Sequence, residues 1–302
     1  MILNSLKPAI WGTILVALSG ILYGLLGYFG THVLDDHISV TNMLFWRFLI
    51  AFGWMLIYSF INAREKISLN RSNFFILFLT FLFGSLFYSG SSAFYFLASE
   101  YTGTGLAMVI FFCFPVFVAI FAWTTKKEKI NAIALSSLCF ILTGLFLLKG
   151  KGETSLSFIG IIFAVTAALS YAFYLIGSQY SAGKIHPSLL TTLLCLGNTL
   201  IFFLFAYFTD TLTIPTSWNI WFHLLALGIF ATAIPIQLLL SGLKYISPLK
   251  ASVLSVLEPV VTLLMGTVLL DESLTGLQFI GVAILLLGGL LIQFDRQQIK
   301  PK

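Results

Sequence analysis

The chain is a succession of apolar runs cut by short breaks that carry charges, glycines or prolines. The runs cover 9–29, 40–61, 74–98, 103–124, 130–148, 158–178, 188–208, 218–240, 249–270 and 275–294. Each is close to the roughly 20 residues that an α-helix needs to cross a hydrocarbon core ~30 Å thick. Several breaks are only four or five residues long, so helices that follow one another must run antiparallel as neighbours. The pattern predicts an all-α membrane protein of ten transmembrane helices, with no stretch polar and long enough for a soluble domain. The only polar tail, Asp295 to Lys302, is too short to fold alone.

The basic residues orient these helices. With the N-terminus placed inside, thirteen of the 16 Lys and Arg fall in inner segments, among them Lys7, Arg64, Lys126, Lys184, Lys244 and Arg296. Lys149 and Lys151 fall outside, and Arg47 falls within a helix. Asp35, Asp36, Asp210, Asp271 and Glu272 also fall outside. A bias of this sign predicts both termini in the cytoplasm and an even number of spans, with a bacterial inner membrane as the expected location. The opening helix has no early basic cluster and no small-x-small cleavage site, so it is expected to be retained.

Composition narrows the function classes. Only 9% of residues are charged and 59% are hydrophobic, against roughly a quarter charged in a soluble domain. The net charge of +5 is scattered over short loops instead of forming a basic stripe with aromatics, so nucleic acid is not an expected partner. Cys113, Cys139 and Cys195 lie inside apolar runs without metal-ligand spacing and read as packing residues. The outer cluster of His32, Asp35, Asp36 and His37 reads as a solvated loop before it reads as a metal site. No cofactor is implied, and no phosphate-binding loop is present for direct use of ATP.

The chain also repeats itself. At an offset of 144, Gly84 meets Gly228, Tyr101 meets Tyr245, Pro115 meets Pro259, Glu128 meets Glu272 and Gly144 meets Gly288. Near the start, Ala-Leu-Ser-x-x-x-Tyr occurs at Ala17 to Tyr23 and again at Ala168 to Tyr174. The chain thus divides into two halves, 1–150 and 151–302. Five helices per half is an odd number, so the second half enters the membrane from the opposite side, an inverted repeat of the kind used for alternating access.

With two five-helix halves, Trp46-Arg47-Phe48 with Ala51 in the second helix, Leu257-Glu258-Pro259-Val260 in the ninth, and acidic Glu128 and Glu272 just past helices four and nine, the chain resembles the EamA-type transporters of the drug/metabolite transporter superfamily. The resemblance covers roughly residues 9 to 295. It implies a ten-helix fold around a central cavity, alternating access, and substrates such as amino acids, their derivatives and other small metabolites. The first half has Phe114-Pro115 where the second has Glu258-Pro259, so the halves are chemically unequal at the cavity.

The residues that would carry transport are picked out by depth. Glu258 lies about nine residues into its helix, or ~14 Å at 1.5 Å per residue, near the midplane, where an ionisable group is costly and functional by default. Pro259 cannot donate a backbone bond and is expected to leave the Ser255 carbonyl free; with Pro115 it forms a pair of expected helix breaks for gating. The carboxyl would carry a proton or balance a substrate amine, with a structural acid paired inside the bundle as the alternative. Arg47 is ~10 Å deep, and two readings stay open: its side chain snorkels outward, or it pairs with Glu258 or brackets one substrate zwitterion with it. Ser19 and Tyr23, Ser170 and Tyr174 lie at matching repeat positions with i, i+4 spacing, each pair on one helix face. Tyr88, Ser91, Ser92, Tyr95 and Gln237 complete the polar and aromatic candidates for a cavity lining. Small residues at four-residue spacing (Gly20 and Gly24; Ser85, Ser89 and Ala93; Gly160, Ala164, Ala168 and Ala172) are expected to pack helices within the bundle. The expected partners are a small-molecule substrate and membrane lipid; proton coupling and oligomeric state are left open. The rival classes are an intramembrane enzyme, for which no His-Glu-x-x-His or Gly-x-Ser-x-Gly motif is present, a channel, which a single cavity charge without ring symmetry fits poorly, and a scaffold that transports nothing.

Overall fold

A computed structural model describes residues 2–34, 38–61, 71–126, 131–148, 157–269 and 275–294. Among them nine helices are long and apolar enough to cross a membrane: α1 Pro8–Leu34, α2 Val40–Ile61, α3 Phe74–Thr102, α4 Thr104–Thr124, α6 Phe158–Ala182, α7 Pro187–Phe208, α8 Trp218–Gly242, α9 Pro248–Leu269 and α10 Gly276–Phe294. A shorter apolar helix, α5 Ala132–Leu148, stands between α4 and α6. All ten fall on the ten apolar runs. The largest difference in extent is α1, which continues past 29 to Leu34 after a break at Gly24.

Polar residues at the breaks start the helices. Ser157, Ser217 and Ser247 accept backbone N–H bonds from Gly160, Asn219 and Lys250, and Asn131 accepts one from Ala134. Thr275 and Gln278 form a reciprocal capping box at the start of α10. These caps satisfy donors that hydrocarbon cannot. The exterior is apolar, with Trp218 88% and Phe208 78% exposed, as expected of a surface solvated by lipid.

The most extensive helix pairs are α5 with α10, α3 with α6, α2 with α7, and α1 with α8. Within α5 and α10, Ser137 donates to the Gly288 carbonyl at 2.5 Å and Gln278 donates to the Leu148 carbonyl at 3.4 Å, so the two run antiparallel. The same holds for α2 and α7: the Phe48 and Phe202 rings stack 5.7 Å apart, and Ser59 lies 3.4 Å from Thr192. One end of the bundle carries Leu34, Val40, Thr102 and Phe158, and the other carries Pro8, Ile61, Ala182 and Gly242. We call these the Leu34 end and the Pro8 end.

Small residues set the close contacts. A Cβ on Gly160 would run into Thr102, and one on Gly24 would run into Val261. Ala164, Ala168 and Ala172 are fully buried. The expected ladders thus pack helices inside the bundle. Of the cysteines, Cys195 is buried and Cys113 half-buried, but Cys139 is exposed. Cys139 therefore corrects the packing expectation, since an apolar helix facing lipid leaves a small apolar side chain on its outer surface.

Among the described residues two helices contain a π-helical turn, Thr80–Gly84 in α3 and Ile229–Ala233 in α8. In α8 the turn precedes Pro235, which lacks the N–H needed to continue the ordinary ladder. The charged segments that orient the chain, with Arg64, Lys127, Glu128, Lys149, Lys151, Asp271, Glu272 and Arg296, lie outside the described residues, as do Asp35, Asp36 and His37.

Gly144 tests the α5–α10 contact. A Cβ there would meet the Gly281 carbonyl at 2.8 Å and the Leu285 nitrogen at 2.9 Å, both backbone, whereas Gly53 has nothing within 4 Å. Gly144→Val should lower the thermal midpoint of the detergent-solubilised protein by the equivalent of about 1–3 kcal/mol, and Gly53→Ala should not lower it.

Candidate functional site

A cavity of about 120 Å3 lies between α1, α2, α3, α4, α6 and α9, in the half of the bundle nearer the Leu34 end. It holds several waters or part of a small solute. Its walls are Tyr23, Leu26 and Gly27 from α1, Arg47 from α2, and Tyr88, Ser91, Ser92, Tyr95 and Phe96 from α3. Met108, Phe111, Phe112, Tyr171, Glu258, Pro259 and Thr262 complete it.

The two breaks that place Glu258 face each other. α9 is interrupted by a turn at Ser255 and Val256, and a new helical segment starts at Leu257, with Glu258 in its first turn. The positive end of that half-helix dipole therefore sits beside the carboxyl group. The carbonyl that Pro259 releases is not left free: Ser255 O accepts the Glu258 N–H at 3.0 Å. This corrects the expected open carbonyl, because a tightened i+3 bond takes the place of the missing i+4 bond. Across the gap α1 breaks at Gly24, whose absent side chain lets Val261 and the Glu258 carbonyl approach. The Thr262 hydroxyl lies 3.0 Å from the Glu258 carbonyl and 3.1 Å from the Gly24 carbonyl, and so bridges the two breaks.

Arg47 does not snorkel. It is 3% exposed, and its Nε donates to the Thr232 hydroxyl at 2.6 Å. Thr232 lies in the π turn of α8 and donates in turn to the Leu227 carbonyl at 2.8 Å. The guanidinium carbon sits 5.1 Å from the centre of the Phe48 ring. Arg47 is thus braced by α8 while it still lines the cavity. Among the described residues no ion pair within 4.0 Å joins it to Glu258, and the Glu258 carboxylate has no hydrogen-bond donor. Among the described residues the cavity therefore presents an anchored guanidinium and a carboxyl group without a hydrogen-bond partner.

Four tyrosines surround these charges. The Tyr23 and Tyr88 hydroxyls lie 3.1 Å apart, and Tyr171 packs edge-on against Phe111 and Phe114. Of the residues singled out in the sequence, Glu258, Arg47, Tyr23, Tyr88, Tyr95 and Pro259 meet at the cavity, together with Ser91 and Ser92. Others lie elsewhere. Ser19 donates to the Pro235 carbonyl at 2.7 Å and joins α1 to α8. Ser170 faces Gly90 of α3. Gln237 accepts a bond from Thr191 at 2.8 Å, and Tyr174 is buried beneath Tyr88, with ring centres 4.8 Å apart. Pro115 is buried just after the turn at Phe112 and Cys113 that breaks α4. Tyr171, Phe111, Phe112, Thr262 and Thr232 are site residues that the sequence pattern did not single out. For Tyr171 and Thr262 the signal was a polar group one helical turn from a candidate. Among the described residues no group of three His, Cys, Asp or Glu is placed to hold a metal; His32 stacks instead on His223, 4.6 Å between ring centres.

A family model described as the EamA-like transporter family matches residues 10–149 and again 158–294. An uncharacterized transporter of Archaeoglobus fulgidus is 28% identical over 283 residues, covering 93% of this chain and 96% of that protein. The uncharacterized transporter YxxF of Bacillus subtilis is 26% identical over 309 residues, covering 97% and 93%. One solved crystal structure has the same fold, with a TM-score of 0.75 at 19% identity, over 93% of this chain and 95% of that one.

Thr232 is the test of the Arg47 brace. Thr232→Val removes the acceptor and leaves a buried charged donor unsatisfied, so it should cost about 2 kcal/mol of stability, read as a lower thermal midpoint. Thr232→Ser should stay near wild type.

Proposed function

The chain belongs to the EamA-like transporter family, and from that premise we propose that it carries amino acids or amino-acid derivatives across a bacterial inner membrane by alternating access. It is an integral multi-pass membrane protein and a transporter. In this reading ten helices span the membrane as two inverted halves, 1–150 and 151–302, with both termini cytoplasmic. The antiparallel packing of α2 on α7 and of α5 on α10, each pair at equivalent places in the two halves, supports the inversion.

The observation that carries the substrate reading is the unpartnered Glu258 carboxylate opposite the anchored Arg47 in one cavity. A zwitterion supplies what both lack. Its ammonium group faces Glu258, and its carboxylate meets the guanidinium N–H groups that Thr232 does not use. The tyrosine and phenylalanine walls receive an apolar or aromatic side chain and add cation–π attraction to the ammonium group. Because no direct ion pair within 4.0 Å joins Arg47 to Glu258 among the described residues, the substrate does not have to break one in order to bind. Glu258 alternates between amine and proton, which couples substrate movement to a proton gradient. Pro115 and Pro259, each just past a turn in its helix, let the halves of α4 and α9 tilt as the cavity changes sides.

Labelled amino acids and amine metabolites presented to proteoliposomes, with and without a pH gradient, test this reading. Wild-type protein should move at least one zwitterion faster with the gradient. Glu258→Gln should lose the acceleration and at least tenfold of the flux. Gradient-dependent flux that survives Glu258→Gln unchanged would remove the carboxylate from the mechanism. Folded protein that moves none of the compounds would end the amino-acid assignment.

A further inference from the structure

We propose that a packed polar seam between α3, α6, α7 and α8 is the closed half of the permeation path, and that it opens toward the Pro8 end when the cavity described above closes. The proposal rests on the alternating-access reading and assigns the residues of its second half.

Among the described residues, two buried side-chain atoms on this seam find no hydrogen-bond partner within the protein: Ser85 Oγ on α3 and Asn198 Oδ1 on α7. A buried polar group without a partner loses its hydration and gains nothing in return. Two such groups on adjacent helices are costly in the state seen and relieved in a state where water reaches them. The seam starts at the cavity floor, since the Tyr174 ring lies 4.8 Å from that of Tyr88 and 5.5 Å from that of Tyr171. It continues toward the Pro8 end through polar side chains that close on one another across helix boundaries. Thr191 of α7 donates to Gln237 of α8 at 2.8 Å, and Thr80 of α3 lies 2.9 Å from Ser181 of α6.

Two further features fit a closure that reopens. Both π turns found among the described residues fall on helices of the seam, Thr80–Gly84 in α3 and Ile229–Ala233 in α8, and such turns interrupt the regular ladder and recur at functional sites. The internal repeat then matches Tyr174 to Tyr23, and Tyr23 lines the present cavity. Inverted halves that exchange conformations would bring Tyr174 to the wall of the second cavity as Tyr23 stands at the first. Tyr174 and Gln237 thereby gain a use that the present cavity does not give them.

Cysteine accessibility tests the proposal in a background with Cys113, Cys139 and Cys195 replaced by alanine, in right-side-out and inside-out vesicles. The reagent is a small, membrane-impermeant, positively charged methanethiosulfonate. Asn198→Cys should react from the Pro8 face only, Ser92→Cys in the cavity should react from the Leu34 face, and lipid-facing Phe205→Cys should not react. Ser85→Cys, close in size to the native residue, should behave like Asn198→Cys and guards against a folding failure of the latter. In the double variant, a bulky maleimide first attached to Ser92→Cys wedges the cavity open and should slow reaction at Asn198→Cys about tenfold. Unchanged reaction with the wedge in place would make the seam a static water pocket and overturn the proposal. If Asn198→Cys and Ser85→Cys are inert while Ser92→Cys reacts from both faces, the halves exchange but the path runs elsewhere, and the proposal falls alone. If both are inert and Ser92→Cys reacts from one face only, alternating access falls with it.

Discussion

Hydrocarbon offers no hydrogen bonds, so every polar group carried into the membrane must find its partner inside the protein or in water the protein admits. That constraint organises this molecule. Serine and threonine hydroxyls along the helices bond back to carbonyls three or four residues earlier, as Thr102, Thr199 and Ser252 do. Arg47, which no local carbonyl satisfies, is taken up by Thr232 of a different helix, and this ties α2 to the π turn of α8. Among the described residues little is left over, and that remainder is informative: a carboxyl group that faces a cavity, and a few buried hydroxyl and amide atoms.

The break in α9 shows how local chemistry sets up that remainder. Pro259 ends the ordinary helical ladder, a turn at Ser255 and Val256 takes up the slack, and Glu258 emerges at the start of a half-helix pointing across the bundle. Gly24 breaks α1 opposite, and Thr262 bridges the two carbonyls. In the first half the equivalent turn at Phe112 and Cys113 comes with Phe114 instead of an acid. The same backbone device thus serves an apolar wall on one side and the Glu258 carboxyl group on the other. The asymmetry gives a repeated fold a cavity whose acidic group, Glu258, comes from its second half.

Most of the architecture was legible in the sequence, because lipid imposes a simple pattern: runs of about 20 apolar residues, polar caps between them, and small residues where backbones touch. All ten runs reappear as helices within a few residues of their expected ends. The site was legible where depth alone decides, as for Glu258 and Arg47, and where proline marks a break. It was not legible where the outcome depends on rotation of a helix about its axis. The repeat pointed to Tyr174 and Ser170, yet Tyr171, between them in the turn, is the α6 residue at the cavity. The bond that settles Arg47 joins residues 185 positions apart through a π turn, and no periodicity read from one sequence announces such a turn.

Transport of a zwitterion through this cavity requires that Glu258 stand unpartnered and reachable within the membrane. Reaction with the apolar carbodiimide dicyclohexylcarbodiimide, followed by peptide mass mapping, tests that requirement without a known substrate, because this reagent partitions into lipid and adds to the protonated carboxyl group, the form an acid takes in the membrane when no basic side chain holds it ionised. An adduct should form at Glu258 in the folded wild-type protein, and its formation should slow when a transported amine is present. If Glu258 stays unmodified in folded protein, the carboxylate is paired or sealed away, and it can neither receive an amine nor carry a proton.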